Sequence, residues 1–91
     1  MRVVFSYDVT DDRRRNRLAK RLKDHLHRVQ YSVFEGEVDE RERVKLERLV
    51  YEELSLEVDS VRIYSLCRGC AGTVRLFGTS IYAGKEGDEV L

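Results

Sequence analysis

The sequence has no proline and no tryptophan, only one methionine and two cysteines, and a formal net charge of zero. No window approaches about 18 uninterrupted apolar residues, so the sequence predicts no transmembrane helix. The first residues, Met1–Val9, form an apolar run that is too short and too soon interrupted by charge for a secretory signal. We therefore predict a cytoplasmic protein that does not associate with membranes.

Familiar catalytic motifs are also missing. The chain has no glycine-rich phosphate loop, no HExxH zinc motif and no serine–histidine–aspartate order. Cys67 and Cys70 form one CxxC pair, half of a zinc knuckle, without a second pair to complete it. They are either two ordinary thiols in a turn or, in a dimer, half of a four-thiolate site. A reducing cytoplasm disfavours a disulfide between them.

What the chain does contain is typical of one small globular domain. Its 91 residues are 42% hydrophobic and 37% charged, which distinguishes it from a disordered segment. A chain of this length buries a thin core and exposes a large share of its surface. Oligomerisation is a usual way for such a domain to bury more apolar surface.

The zero net charge hides two oppositely charged segments. Between Asp11 and Arg28 there are eight lysines or arginines against three aspartates, whereas between Glu35 and Asp59 there are ten acids against four bases. The basic segment indicates a nucleic-acid partner despite the neutral total. Two well-solvated helices with charged outer faces are the alternative interpretation.

Hydrophobic periodicity and capping residues predict alternating strands and helices. The run Val29–Val38, interrupted by Gly36, is either one kinked strand or a very short strand turning into a longer one. The predicted elements are strands at Arg2–Asp8, Val29–Val38, Val61–Leu66, Thr73–Phe77 and Ile81–Tyr82, and helices from Thr10, Asp11 or Asp12 to about His27 and from Asp39 to about Leu54.

This order predicts an α+β fold of the ferredoxin-like type, a split β-α-β sandwich. Two helices would cover one face of an antiparallel sheet. The other face still carries apolar residues, and a second copy of the chain is the simplest cover for them. We expect residues 1–84 to form this single domain and residues 85–91 to form an acidic, flexible tail.

Asp8 is the first candidate for chemistry, because it places a carboxylate at the end of an apolar strand, just before a helix. It is either a turn residue bonded to nearby backbone amides or a metal ligand. Asp11 and Asp12 have a simpler role as helix cap and first-turn acid. One aspartate per chain makes a poor Mg²⁺ site, whereas two copies meeting at a dimer axis would make an adequate one.

Four arginines beside this acid, on the first turns of the helix, are candidates for binding phosphate: Arg13, Arg14, Arg15 and Arg17. A solvated basic face is the alternative. In the second extended run, Arg28, Tyr31 and Phe34 offer stacking or phosphate contacts, although the pattern favours Phe34 as a core residue and Tyr31 as a partly buried one.

The stretch VFSYDVTDDRRRNRLAKRLKDHLHRVQYSVFEGEV resembles the CRISPR-associated protein 2 family, the small partner of the CRISPR integrase. The shared pattern is a strand ending in Tyr-Asp, a Thr-Asp-Asp capped helix with Arg-Asn-Arg, and then Arg-Val-Gln-Tyr-Ser-Val-Phe-Glu-Gly. The later segments DSVRIYSL and TVRLFG fit the last strands of the family. The cysteine pair is not part of this pattern.

The resemblance implies a symmetric homodimer, sheet face against sheet face, with C-terminal strands that extend the partner's sheet. Asp8 matches the family's metal-binding aspartate, so one Mg²⁺ would be shared by Asp8 of both protomers. The positions associated with nuclease activity in the family correspond to Asp8 itself and to Tyr7, Arg15, Arg17, Arg28 and Phe34.

Two functions follow from the resemblance. One is a homodimer that binds duplex DNA and bridges integrase subunits during spacer acquisition; the other is a metal-dependent endonuclease acting on single-stranded RNA or on DNA. A toxin-like endoribonuclease, or an RNA-binding ferredoxin-like module outside CRISPR, is the alternative.

Overall fold

A computed structural model describes residues 1–66 and 73–78 of the chain. Five antiparallel strands form one sheet in the order β2-β3-β1-β4-β5. The elements are β1 (Arg2–Asp8), α1 (Asp12–Leu22), β2 (His27–Gln30), β3 (Val33–Glu37), α2 (Glu40–Glu53), β4 (Ser60–Leu66) and β5 (Thr73–Gly78). The predicted α+β, ferredoxin-like architecture is confirmed, with β5 added beside β4.

The hydrophobic core lies between the sheet and the two helices. Successive side chains of a strand point to opposite faces, and in β1 the buried residues alternate accordingly at Val3, Phe5 and Tyr7. Side chains from both helices cover them; those buried are Leu18, Ala19, Leu22, Leu46, Leu49 and Val50. Burying one leucine contributes roughly 2 kcal/mol, so this layer supplies the main stabilisation of the fold.

The opposite face of the sheet, which we call the open face, has no cover in the described part of the chain. Strand pairing aligns Ser6 of β1 with Val33 of β3 and Arg62 of β4, and Arg62 with Leu76 of β5. Leu66 is 46% exposed and Leu76 is 42% exposed. Apolar and polar side chains therefore lie side by side on this face of the sheet.

Two of the predicted boundaries are wrong. Helix α1 ends at Leu22 rather than near His27, because the amides of Asp24 and His25 donate three residues back, to the Arg21 and Leu22 carbonyls, and tighten the chain into a turn before β2. The run Val29–Val38 is not one kinked strand. A turn at Tyr31 and Ser32 separates β2 from β3, so the alternative of a short strand followed by a longer one is nearer to the structure.

Two glycines permit close packing of the backbone. A Cβ atom at Gly36 would lie 3.1 Å from the Leu26 side chain, so the missing side chain lets Leu26 remain in the core after α1 has ended. At Gly78 the backbone has φ +82, and a Cβ atom would lie 1.9 Å from the Asp59 carbonyl oxygen. Only glycine adopts that conformation against that neighbour without strain.

Several predicted features lie outside the described residues. These are the CxxC pair at Cys67 and Cys70, the short strand at Ile81 and Tyr82, and the tail at residues 85–91. Neither of the two helices has the length and apolar character that crossing a bilayer requires.

Candidate nucleic-acid site

Asp8 is the last residue of the central strand β1, where it pairs with Ser60 of β4. Its side chain is exposed, and it lies on the open face together with Ser6, whereas Tyr7 faces the helices. The Asp8 carboxylate forms no salt bridge with any residue of the described ranges 1–66 and 73–78. It is therefore available to an external cation.

The two aspartates that follow have the capping roles predicted for them. The Asp11 side chain accepts a hydrogen bond of 2.9 Å from the Arg14 backbone amide at the start of α1, and this bond lowers the pKa of Asp11. Asp12 lies in the first turn and forms a salt bridge with Arg15. Of the three neighbouring acids, Asp8 is thus the one without a structural partner in the part of the chain described.

The four arginines predicted to bind phosphate point to different places. Arg14 donates from Nε and Nη2 to the two carboxylate oxygens of the fully buried Asp59, at 2.8 and 3.1 Å. Arg17 donates to Glu53 on α2 at 3.0 Å. Arg13 is exposed and forms no ion pair within residues 1–66 and 73–78. Arg14 therefore stabilises the fold by pairing with the buried Asp59, while the Arg13 side chain is exposed to solvent.

Arg15 belongs to a different group, on the helix-covered side of the sheet. Its guanidinium donates to the carbonyl oxygens of Val9 and Thr10, at 3.2 and 3.5 Å, and so is tied to the two residues directly after Asp8. The hydrogen bond to Asp12 raises the pKa of Arg15. This guanidinium is therefore a permanent cation beside the end of β1.

Arg15 and Arg28 flank one exposed aromatic ring. Each guanidinium carbon lies 5.7 Å from the centroid of the Tyr31 ring, within the range of cation–π attraction. Tyr31 is 66% exposed. We call these three residues the arginine–tyrosine cluster, and their arrangement offers two cations and a π-face to a nucleic acid.

Tyr7 and Phe34 support this cluster from the core. The Arg28 guanidinium lies 5.1 Å from the Phe34 centroid, and Phe34 stacks on Tyr7 with centroids 6.2 Å apart. The Tyr7 hydroxyl donates to the Tyr31 carbonyl oxygen at 3.4 Å. Both rings are buried, which confirms Phe34 as a core residue and makes Tyr7 a support for the turn that carries Tyr31.

The predicted site residues thus divide between two faces. Tyr7, Arg15, Arg28 and Phe34 form one connected group on the helix-covered side, whereas Asp8 faces the open side at the same end of β1. Arg17 belongs to neither, because it is directed to Glu53.

The prediction that Tyr31 is partly buried is wrong. No local pattern signals its exposure, because the turn at Tyr31 and Ser32 contains no glycine, asparagine or proline.

No group of three or more histidine, cysteine, aspartate or glutamate residues that could hold a metal ion occurs within the described ranges. Asp8 alone supplies one carboxylate. Magnesium commonly binds one or two carboxylates and keeps several waters. The residues present therefore fit half of a site that a second chain would complete.

A family model described as CRISPR associated protein Cas2 matches residues 1–74, most of the chain. The chain belongs to the Cas2 family. The resemblance of VFSYDVTDD and the segments that follow it is confirmed, and CRISPR-associated function is favoured over a module outside CRISPR.

Relatives and solved structures agree with this assignment. The Cas2 chain is 45% identical over 77 residues to a CRISPR-associated endoribonuclease Cas2 of Synechocystis sp., covering 84% of this chain and 83% of that protein. It is 44% identical over 75 residues to a CRISPR-associated endonuclease Cas2 of Thermus thermophilus, covering 82% and 79%. The crystal structure of Streptococcus pyogenes Cas2 at pH 6.5 superposes with a TM-score of 0.68 at 32% identity, over 76% of this chain and 89% of that one.

Proposed function

We propose that this Cas2 protein acts as a homodimer that binds duplex nucleic acid and bridges integrase subunits during CRISPR spacer acquisition. The observation that carries the proposal is the open face, where half-exposed leucines lie beside charged side chains without any cover in residues 1–66 and 73–78. A small domain gains stability by burying such a face against a second copy. The arginine–tyrosine cluster then supplies a nucleic-acid contact on each protomer.

Dimerisation through the open face is tested by one charge substitution on each side of the sheet. Leu76 lies on the open face, whereas Val44 is a comparably exposed apolar residue on α2, at 42% and 44%. Leu76→Glu should convert the dimer to monomer in sedimentation velocity, and Val44→Glu should leave it dimeric. A dimer that survives Leu76→Glu and dissociates with Val44→Glu would place the interface on the helical side instead.

The second proposed activity is Mg²⁺-dependent cleavage of a phosphodiester in RNA or DNA; the Synechocystis relative is named an endoribonuclease and the Thermus relative an endonuclease. Asp8 supports it, because its exposed carboxylate lies on the open face and would meet the partner's copy in the dimer. One Mg²⁺ would then be held by Asp8 of both protomers. Such a cation supplies electrostatic stabilisation of the negative charge that develops on a phosphodiester.

Of the remaining residues of the proposed site, the exposed Arg28 and Tyr31 contact the substrate and the others support them or the fold. Arg28 attracts the phosphate backbone, because a guanidinium matches phosphate oxygens in geometry and charge. Arg15, bonded to Asp12 and to the Val9 and Thr10 carbonyls, flanks the Tyr31 ring. The exposed Tyr31 ring presents an aromatic surface to an unstacked base. The buried rings of Phe34 and Tyr7 support the turn that carries Tyr31. Arg17, paired with Glu53, connects the two helices.

Asp8→Asn separates catalysis from binding. The variant should lose Mg²⁺-dependent cleavage by about 100-fold or more, since one carboxylate on each side of the dimer axis is removed. Its affinity for a duplex in fluorescence anisotropy should be retained. Asp24→Asn, an exposed aspartate in the turn after α1, is the matched control. Unchanged cleavage by Asp8→Asn would indicate that a contaminant is the nuclease. Bridging of integrase subunits would then be the only function still proposed for this protein.

A further inference from the structure

A second basic region lies away from Asp8, in a cleft between the end of α1 and the middle of α2. The cleft encloses about 250 Å³ and is lined by Arg21, His25, Lys45, Arg48, Leu49 and Glu52. Positions 45, 48 and 52 follow the three- and four-residue spacing that places side chains on one face of a helix. Leu49, only 3% exposed, provides an apolar base. We call it the interhelical cleft.

The charges of the interhelical cleft do not cancel. Arg21 donates to Glu52 and to Glu53 at 2.9 Å each, and these bonds raise the pKa of Arg21. Lys45 and Arg48 have no carboxylate partner in the described part of the chain. Three cations, Arg21, Lys45 and Arg48, against Glu52 and the second partner of Arg21, Glu53, leave a local net charge of +1 with His25 neutral.

Lys45 and Arg48 are basic residues in a segment of the chain that is acidic overall. Residues 35–59 contain ten acids and four bases, yet two of those four bases line the same cleft as the basic end of α1. The third, Arg43, is paired with Glu40 and Glu47. The fold therefore places two unpaired cations of α2 beside the paired Arg21 of α1 in one concavity.

The size and the donors of the cleft define its ligand. A volume of about 250 Å³ is below the range usual for drug-sized organic ligands, about 300–1,000 Å³. It accommodates a single phosphate group with several waters, each of which takes about 30 Å³ in the liquid. Guanidinium, ammonium and imidazole N–H groups are the donors that recognise phosphate oxygens.

We propose that the interhelical cleft is a phosphate-binding site, separate from Asp8 and the arginine–tyrosine cluster. Helix α1 has 11 residues, and at about 1.5 Å per residue it separates the cleft at its C-terminal end from the cluster at its N-terminal end. The bound phosphate belongs either to the backbone of a nucleic acid that extends over the helical side or to a free nucleotide. The site is formed within one chain and does not require the dimer.

Titration of the full-length ¹⁵N-labelled protein with inorganic phosphate tests the site directly. The backbone amides of His25 and Leu49 should shift saturably with phosphate and remain unchanged with chloride at equal ionic strength. Lys45→Gln/Arg48→Gln should abolish these shifts. Lys20→Gln/Arg41→Gln, which removes two exposed charges outside the cleft, should preserve them. Equal responses in the two double variants, or no saturable shift in the wild type, would overturn the proposal.

Two further ligands identify the source of the phosphate. If the cleft binds a nucleic-acid backbone, Lys45→Gln/Arg48→Gln weakens duplex binding and reduces the slope of log K against log salt by up to about 1.8, at about 0.9 for each lost contact. If it binds a free nucleotide, the same variant loses the shifts caused by AMP and keeps its duplex affinity. Asp8→Asn should leave the phosphate shifts intact, so a failure of the proposed nuclease would not be mistaken for a failure of this site.

Discussion

Replacing Arg14 by alanine should destabilise the protein strongly, although Arg14 lies on a basic helix face among arginines of similar appearance. Its guanidinium makes two hydrogen bonds, of 2.8 and 3.1 Å, to Asp59, whose exposed fraction is zero. Without Arg14, the Asp59 carboxylate keeps one described donor, the Ser55 amide at 2.9 Å. A buried charge would then be left without a counter-ion.

The magnitude follows from the burial of the two partners. Removing one member of a buried ion pair costs about 3–5 kcal/mol. The Arg14 side chain is 25% exposed, and water can therefore reach part of the vacated site. We expect the lower end of that range, about 3 kcal/mol. For a domain of this size, this corresponds to a decrease in Tm of about 12–24 °C, at 4–8 °C per kcal/mol.

Urea unfolding measures the effect, with protein concentration held fixed because the proposed dimerisation would contribute to stability. Arg13→Ala is the matched control, and it should change the free energy of unfolding by less than about 0.5 kcal/mol. In a double-mutant cycle, Arg14→Ala and Asp59→Asn should be coupled by at least about 1 kcal/mol. If Arg14→Ala were as mild as Arg13→Ala, or the coupling were zero, the argument that this pair supports the fold would be refuted.

Two further predictions concern packing and pH. Gly78→Ala should cost about 2 kcal/mol or more in urea unfolding, because its backbone has φ +82 and the new Cβ would meet the Asp59 carbonyl. Gly36→Ala should cost less, since it meets the movable end of a leucine side chain. The hydrogen bond from Arg21 lowers the pKa of Glu53, so ionised Glu53 stabilises the fold above its ordinary value of 4.5, and this contribution is lost as pH falls through the lower folded pKa. Glu53→Gln should therefore be less stable than wild type at neutral pH, with the difference closing in acid; a pH-independent difference would contradict this.

The order of elements follows from local signals in the sequence. Asp11 and Asp39 are both N-caps, and Asp39 forms a full capping box with Glu42. Alternating burial along β1 matches the apolar residues at Val3 and Phe5. Such features depend on neighbours within a few residues of one another, which is why the pattern predicts them.

The hairpin between β2 and β3 has no comparable signal. Two-residue hairpin turns commonly use glycine or asparagine at positive φ. The turn here is formed by Tyr31 and Ser32, and no non-glycine residue of the described chain has positive φ. The predicted end of α1 is wrong for a different reason: Leu26 continues the leucine spacing and stays buried after the helix has ended.

The partners of the arginines depend on contacts between distant parts of the chain. Arg14 and Asp59 are 45 residues apart, and Arg17 and Glu53 are 36 apart. A run of arginines looks uniform in sequence, but packing assigns one to a buried carboxylate, one to the opposite helix and one to an aromatic ring. The candidate site could therefore be predicted by residue type and only partly by role.

The strand β2 has a consequence for how the protein avoids unwanted assembly. It is one edge of the sheet, four residues long and exposed throughout, and its pairing with β3 shifts register between Arg28 and Gln30. Short, charged and bulged edge strands are poor templates for pairing with another chain. The irregularity beside Arg28 thus also protects this edge of the sheet against fibre-like stacking.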